Sequence, residues 1–168
     1  MSFYSLELKE GSILTKQKYR LNTNIEEDQL DFIKNEFNKL NYFRYEISNW
    51  ASDNMYISKH NLAYWNLSNW KGIGISSYGF ENGEYYKYQG TILDWKKETW
   101  KWTNQEIFEN ILIMGLRKSE GIDLSIQKNL DAYNHFKNRL NHELIKIENN
   151  HLKAKNFDLL NEILLDII

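Results

Sequence analysis

All six tryptophans of this 168-residue chain fall between Trp50 and Trp102, together with Tyr56, Tyr64, Tyr78, Tyr85, Tyr86 and Tyr88. Side chains of that size, so close together, need a broad surface to pack on, and the sequence supplies one. Asn82-Gly83 is the favoured centre of a two-residue β-turn, and it lies between Ser77-Tyr78-Gly79-Phe80 and Tyr85-Tyr86-Lys87-Tyr88. The spacing predicts a β-hairpin whose strands carry the aromatic rings.

Around this stretch the pattern changes between helix and strand. Residues 3–8 alternate loosely and suggest a strand closed by Gly11. In 25–40, Leu30, Ile33, Phe37 and Leu40 recur at steps of three and four after an Asn24–Glu27 capping box, which predicts an amphipathic helix. Residues 42–47 are aromatic and β-branched, so the opening order is strand, helix, strand, as in a βαβ unit. Beyond Trp102, a capping box from Thr103 to Glu106 introduces a helix that buries Ile107, Phe108, Ile111, Leu112 and Leu116 and ends near Gly121. A further helix is expected over 131–141 with Ala132, Phe136 and Leu140 aligned. Strands at 144–148 and 151–155 flank an Asn149-Asn150 turn. Asn156 caps a last helix that buries Leu160, Ile163, Leu164 and Ile167. The whole reads as α+β, with a winged-helix-like end.

One motif combines a possible metal ligand with flat rings and bare backbone. His60-Asn61-Leu62-Ala63-Tyr64-Trp65 precedes Gly72-Ile73-Gly74, and an imidazole near a phenol, an indole and a tight glycine turn suits a flat aromatic or metal-bearing ligand better than a phosphate. Haem is the first candidate, with His60 as axial ligand and Asn61 orienting the second ring nitrogen. The alternative is a histidine hydrogen-bonded to backbone, and for Tyr64 and Trp65 simple core packing. Gly72 and Gly74 allow a ligand to approach the backbone closely.

Other chemistries are excluded or weakened. No cysteine is present, so the chain forms no disulfide and has no thiolate for an iron–sulfur cluster. The net charge of −2 gives no general drive toward nucleic acid, and 101–168 holds nine basic and ten acidic residues, so a groove-reading winged helix lacks its basic stripe. No run approaches the roughly 18 apolar residues of a membrane span, and the first residues lack a signal-peptide pattern, so a cytoplasmic location is expected. His135 and His142, seven residues or about two helical turns apart, cannot share a metal ion, and His151 adds no zinc pattern. Glu46 has no second carboxylate at a fixed spacing and reads as a hydrogen-bonding residue at a strand end. A protein-interaction role through Trp95, Trp100 and Trp102 is compatible with all of this.

Taken in order, Tyr45-Glu46-Ile47-Ser48-Asn49-Trp50-Ala51, His60 to Trp65, Gly72-Ile73-Gly74, and Met114-Gly115-Leu116-Arg117 with Gly121-Ile122-Asp123 resemble the oxygen-independent coproporphyrinogen III oxidase-like radical SAM family. The His-Asn-x-x-Tyr-Trp element is more similar to its haem-chaperone branch than to the oxidases, though the oxidase reading stands as the alternative. The resemblance implies the C-terminal part of such a protein. Residues 1–102 would be the end of a partial (β/α) barrel with the aromatic hairpin, and 103–168 the winged-helix-like accessory domain. It implies haem as cargo near His60, Asn61, Tyr64, Trp65, Gly72 and Gly74, and an acceptor protein that receives it. S-adenosylmethionine and a [4Fe-4S] cluster would come only through a missing N-terminal half, either as a partner subunit or as the rest of a truncated protein. Without that half the chain is expected to bind rather than catalyse. Where the family continues Pro-Gly-Ala-His after its glycine turn, this chain has Ile75-Ser76-Ser77-Tyr78.

Overall fold

In the computed structural model, which describes residues 1–168, the aromatic hairpin forms as its turn predicts. Strand β3 (Tyr78–Glu81) pairs antiparallel with β4 (Glu84–Gly90), from Glu81↔Glu84 to Tyr78↔Lys87. Asn82 and Gly83 take φ of +53° and +81°, the pair of left-handed residues that a type I′ turn requires. A third strand, β5 (Trp95–Lys101), pairs with β4 along its whole length. Its run Trp-Lys-Lys-Glu-Thr-Trp-Lys has no clean apolar alternation, so the sequence gives little sign of it.

The chain divides into two units, Met1–Ile57 and Ser58–Ile168. In the first, a short helix α1 (Ile13–Lys16) precedes α2 (Thr23–Lys39), and β1 (Phe43–Glu46) pairs antiparallel with β2 (Asn49–Ala51). The α2 cap is Asn22, two residues before the expected one, whose side chain accepts from Asn24 N–H at 3.1 Å and Ile25 N–H at 3.3 Å. The expected strand over residues 3–8 does not form. The first three residues lie along β2: Met1 N donates to Trp50 O at 2.8 Å and Trp50 N–H to Met1 O at 2.9 Å, Ser2 bridges Asn49, and Phe3 N–H donates to Ser48 O at 2.9 Å, while Tyr4 and Leu6 stay exposed. Beyond Phe3 the loose alternation has no strand partner to bury it and gains too little to stay extended. No βαβ unit results, because β1 pairs with its own hairpin partner. Trp50, Tyr45 and Ala51 are buried here, and the Phe37 ring meets Trp50 edge-on at 5.2 Å. Glu46 is fully buried and accepts a hydrogen bond from Asn49 Nδ2.

The second unit adds α3 (Lys59–Trp65), α4 (Asn104–Gly115), β6 (Ile122–Asp123), α5 (Gln127–Phe136), β7 (Ile145–Glu148), β8 (His151–Ala154) and α6 (Leu160–Leu165) to the aromatic sheet. The Thr103–Glu106 capping box is complete: Glu106 N–H donates to Thr103 Oγ1 at 3.3 Å, and Thr103 N–H donates to Glu106 Oε2 at 2.7 Å. Strands β6, β8 and β7 form an antiparallel sheet in that order, with Asn149 and Asn150 both left-handed in the β7–β8 turn. Leu112, Leu116, Ala132, Phe136, Leu140, Leu152, Leu160, Ile163 and Ile167 make up its core. Helix α5 starts four residues before the expected 131 and stops at Phe136. His142 lies beyond the helix, its Nε2 2.8 Å from Lys137 O, and His151 opens β8. Helices with antiparallel sheets make the fold α+β.

Candidate functional site

Ser58 opens α3 by accepting from Asn61 N–H at 3.3 Å. His60 and Tyr64, four apart, share one helix face, and their rings meet edge-on at 4.9 Å. Tyr64 continues to Trp70 at 5.3 Å, and Trp70 to Tyr85 at 6.2 Å. His60 itself is exposed, and neither ring nitrogen takes part in a hydrogen bond. Trp65 follows Tyr64 by one residue and so faces another way. It lies beneath the Arg117 guanidinium, 5.3 Å from the ring centre.

The glycine turn is fixed by close contacts. Gly72 N–H donates to the Tyr86 hydroxyl at 3.2 Å, and a Cβ at Gly72 would fall 1.9 Å from the Tyr78 carbonyl oxygen. Gly74 has a φ of +88° with open space beside it. Ser76 N–H donates to Tyr88 O at 2.8 Å, and Tyr88 N–H to Ser77 O at 2.9 Å, tying the segment to β4. Gly72, Ile73, Gly74 and Ile75 thus form one wall of a cavity of about 630 Å³, completed by Tyr88, Ile92 and Trp95. The Tyr88 and Trp95 rings meet at 5.1 Å. This volume lies within the roughly 300–1,000 Å³ of small-molecule sites, and the lining is almost wholly hydrocarbon and aromatic.

Strand alternation decides which of the expected residues come together. Tyr85 and Tyr88 stand on opposite faces of β4. The ring series from His60 ends on the Tyr85 face, where Tyr85 also stacks on Trp100 at 5.7 Å and meets Trp102 at 4.8 Å. The cavity lies over the Tyr88 face. Gly72 and Gly74 therefore line it, while His60, Asn61 and Tyr64 do not. Trp65 borders a different cleft of about 440 Å³, with Asn66, Lys118, Glu120, Asp123 and His151 among its lining. In that cleft burial pushes the Lys118 ammonium down, opposed by Glu120, and hydrogen bonds from the Ser125 hydroxyl and N–H hold Asp123 low. The half-buried Tyr85 phenol is raised by its burial.

The cavity residues Ile73, Ile75, Tyr88, Ile92 and Trp95 are not apparent from motif spacing. Their signal is an oddity: Ile92-Leu93 stands at a hairpin tip where turn-forming residues are usual. Ser76 adopts φ +64°, a left-handed backbone that glycine takes more readily.

The chain is 30% identical over 135 residues to "Heme chaperone HemW" of Lactococcus lactis subsp. lactis (strain IL1403), covering 73% of this chain and 35% of that protein. It is 28% identical over 136 residues to "Heme chaperone HemW" of Bacillus subtilis (strain 168), covering 72% and 36%. It is 28% identical over 145 residues to "Radical S-adenosyl methionine domain-containing protein 1, mitochondrial" of Danio rerio, covering 73% and 32%. The chain thus spans about a third of the length of these relatives. No family model and no solved structure matches it.

Proposed function

We propose that this chain, which belongs to the HemW-like radical SAM family, binds haem and passes it to an acceptor protein. The observation that carries the reading is the apolar cavity at the family's glycine turn. A porphyrin ring needs a flat hydrocarbon and aromatic surface, and Gly72 and Gly74 let it lie against backbone while Tyr88, Trp95, Ile75 and Ile92 cover its edges and faces. A cavity open to solvent suits a carrier, because cargo that must leave cannot be sealed in. A second placement is favoured by the exposed, unbonded imidazole of His60, which can donate a nitrogen to iron from α3 with the Tyr64 ring beside it.

Any radical chemistry would depend on an N-terminal half supplying the cluster and S-adenosylmethionine, since this chain has no thiolate of its own. In this reading 1–102 is the end of the barrel with its aromatic hairpin. Residues 103–168 form the winged-helix-like accessory domain, supported by the order α4, β6, α5, β7–β8 wing and α6.

Hemin titration followed at the Soret band tests both placements. Wild type is expected to give a saturable shift, and Tyr88→Ala with Trp95→Ala is expected to weaken it about tenfold, the equivalent of ~1.4 kcal/mol. His60→Ala is expected to keep it. Loss only in His60→Ala would move haem to α3 and overturn the cavity placement, and absence of saturable binding in wild type would overturn the function.

A further inference from the structure

At the mouth of the cavity, apolar side chains stand almost free in water: Leu93 is 98% exposed, Ile73 91%, Ile92 85% and Trp95 56%. Ile92 and Leu93 are the two tip residues of the β4–β5 hairpin. The hairpin is closed by Thr91 N–H donating to Asp94 O at 2.9 Å and Asp94 N–H donating to Thr91 O at 3.2 Å. Such positions usually hold Asn, Asp or Gly, which bend readily and stay hydrated. Two branched hydrocarbons there do nothing for the hairpin and leave a cost in water.

The residues behind the tip follow in a definite order of polarity. Trp95 comes first, opposite Gly90, its ring 5.1 Å from that of Tyr88. Lysines follow from the next pair on: Lys96 lies opposite Gln89, Lys97 opposite Tyr88 with its ammonium 3.9 Å from the Tyr86 ring centre, and Lys87 one residue further back along β4. Of the two carboxylates on this stretch, Glu98 is engaged by Gln89 Nε2, and Asp94 sits beside the tip. Hydrocarbon, then aromatic rings, then ammonium groups is the polarity order met on leaving a bilayer through its headgroups. A protein partner fits less well, because lysine is depleted from protein interfaces while aromatic residues are enriched.

We propose that the β4–β5 tip inserts into the interface of an anionic lipid bilayer. Ile92, Leu93 and Ile73 enter the acyl boundary, Trp95 and Tyr88 sit at headgroup depth, and Lys87, Lys96 and Lys97 meet lipid phosphate. Asp94 limits the depth, since its carboxylate stays hydrated. No helix of the chain is long and apolar enough to cross a membrane, so the attachment is peripheral. It also turns the cavity mouth toward the bilayer. The proposal stands on the hairpin alone and does not require haem in the cavity.

Flotation with vesicles of phosphatidylcholine containing phosphatidylglycerol, against phosphatidylcholine alone, tests it. The full chain is expected to float with the anionic vesicles at low salt. Leu93→Glu is expected to lower partitioning about tenfold. Lys96→Glu is expected to lower it about fivefold or more on anionic vesicles, and to have no effect on neutral ones. Because the chain has no cysteine, a polarity-sensitive dye on Leu93→Cys reports on the tip alone, and its emission is expected to shift to the blue on vesicles. No flotation at low salt, equal flotation of wild type and Leu93→Glu, or an unshifted dye would overturn the proposal. Hemin binding by Leu93→Glu, whose side chain does not line the cavity, is read in parallel. Absence of saturable hemin binding in both wild type and Leu93→Glu would defeat the haem reading without touching this one.

Discussion

Replacing Gly72 by alanine puts a methyl group where backbone already stands. The new Cβ would lie 1.9 Å from the Tyr78 carbonyl oxygen, 2.5 Å from its carbon and 2.9 Å from Ser77 Oγ. A strand carbonyl cannot rotate away as a side chain can, so the 70–74 segment or β3 must move by more than an ångström. That shift endangers the Gly72 N–H bond to Tyr86 and the reciprocal pair between Trp70 and Phe80, at 2.8 and 2.9 Å. Two or three hydrogen bonds at about 1 kcal/mol each, with about 1–3 kcal/mol for displaced packing, give an expected loss of about 3–6 kcal/mol. Gly74→Ala is the control, because its Cβ meets open space and only the φ of +88° resists it, at about 1–2 kcal/mol. Urea unfolding followed by tryptophan fluorescence measures both, read as midpoint shifts at constant slope. The hemin affinity of Gly72→Ala should fall as well, because the cavity wall moves. A Gly72→Ala midpoint equal to wild type, or a smaller loss than Gly74→Ala, would refute the steric reasoning.

Ser76 at φ +64° carries the strain that a glycine would relieve. Ser76→Gly is therefore expected to stabilise by about 0.5–1 kcal/mol after the extra unfolded-state freedom of glycine is subtracted, and a lower urea midpoint would contradict it. Lys118 has its folded-state pKa pushed down by burial, with Glu120 opposing. Between that lowered value and the ordinary lysine value the unfolded chain binds more protons, so this group makes stability rise with pH through that window. Comparing wild type with Lys118→Met in alkaline melts should show the rise only in wild type, and parallel curves would dismiss it.

Local signals were legible wherever a few neighbouring residues decide the outcome. The Asn82-Gly83 and Asn149-Asn150 turns, the Thr103–Glu106 box and the buried stripe of Leu160, Ile163, Leu164 and Ile167 all form as read. Where the reading slipped, the competing choice was also local or lacked a partner: Asn22 took the cap from Asn24, and residues 3–8 found no strand to join beyond Ser2. Strand β5 was hidden because its side chains are exposed throughout, so burial never shaped its pattern.

The sequence by itself determined the kinship, the α+β character, the hairpin and the lack of any thiolate ligand. Those depend on residue identity, short-range periodicity and turn chemistry, which act within four or five residues. Tertiary structure alone decided that the His60 ring series and the Gly72–Gly74 wall belong to opposite faces of β4, and that Trp65 borders a separate cleft. A strand sends neighbouring side chains to opposite sides, and only the pairing register, set by distant residues, says which side each will occupy.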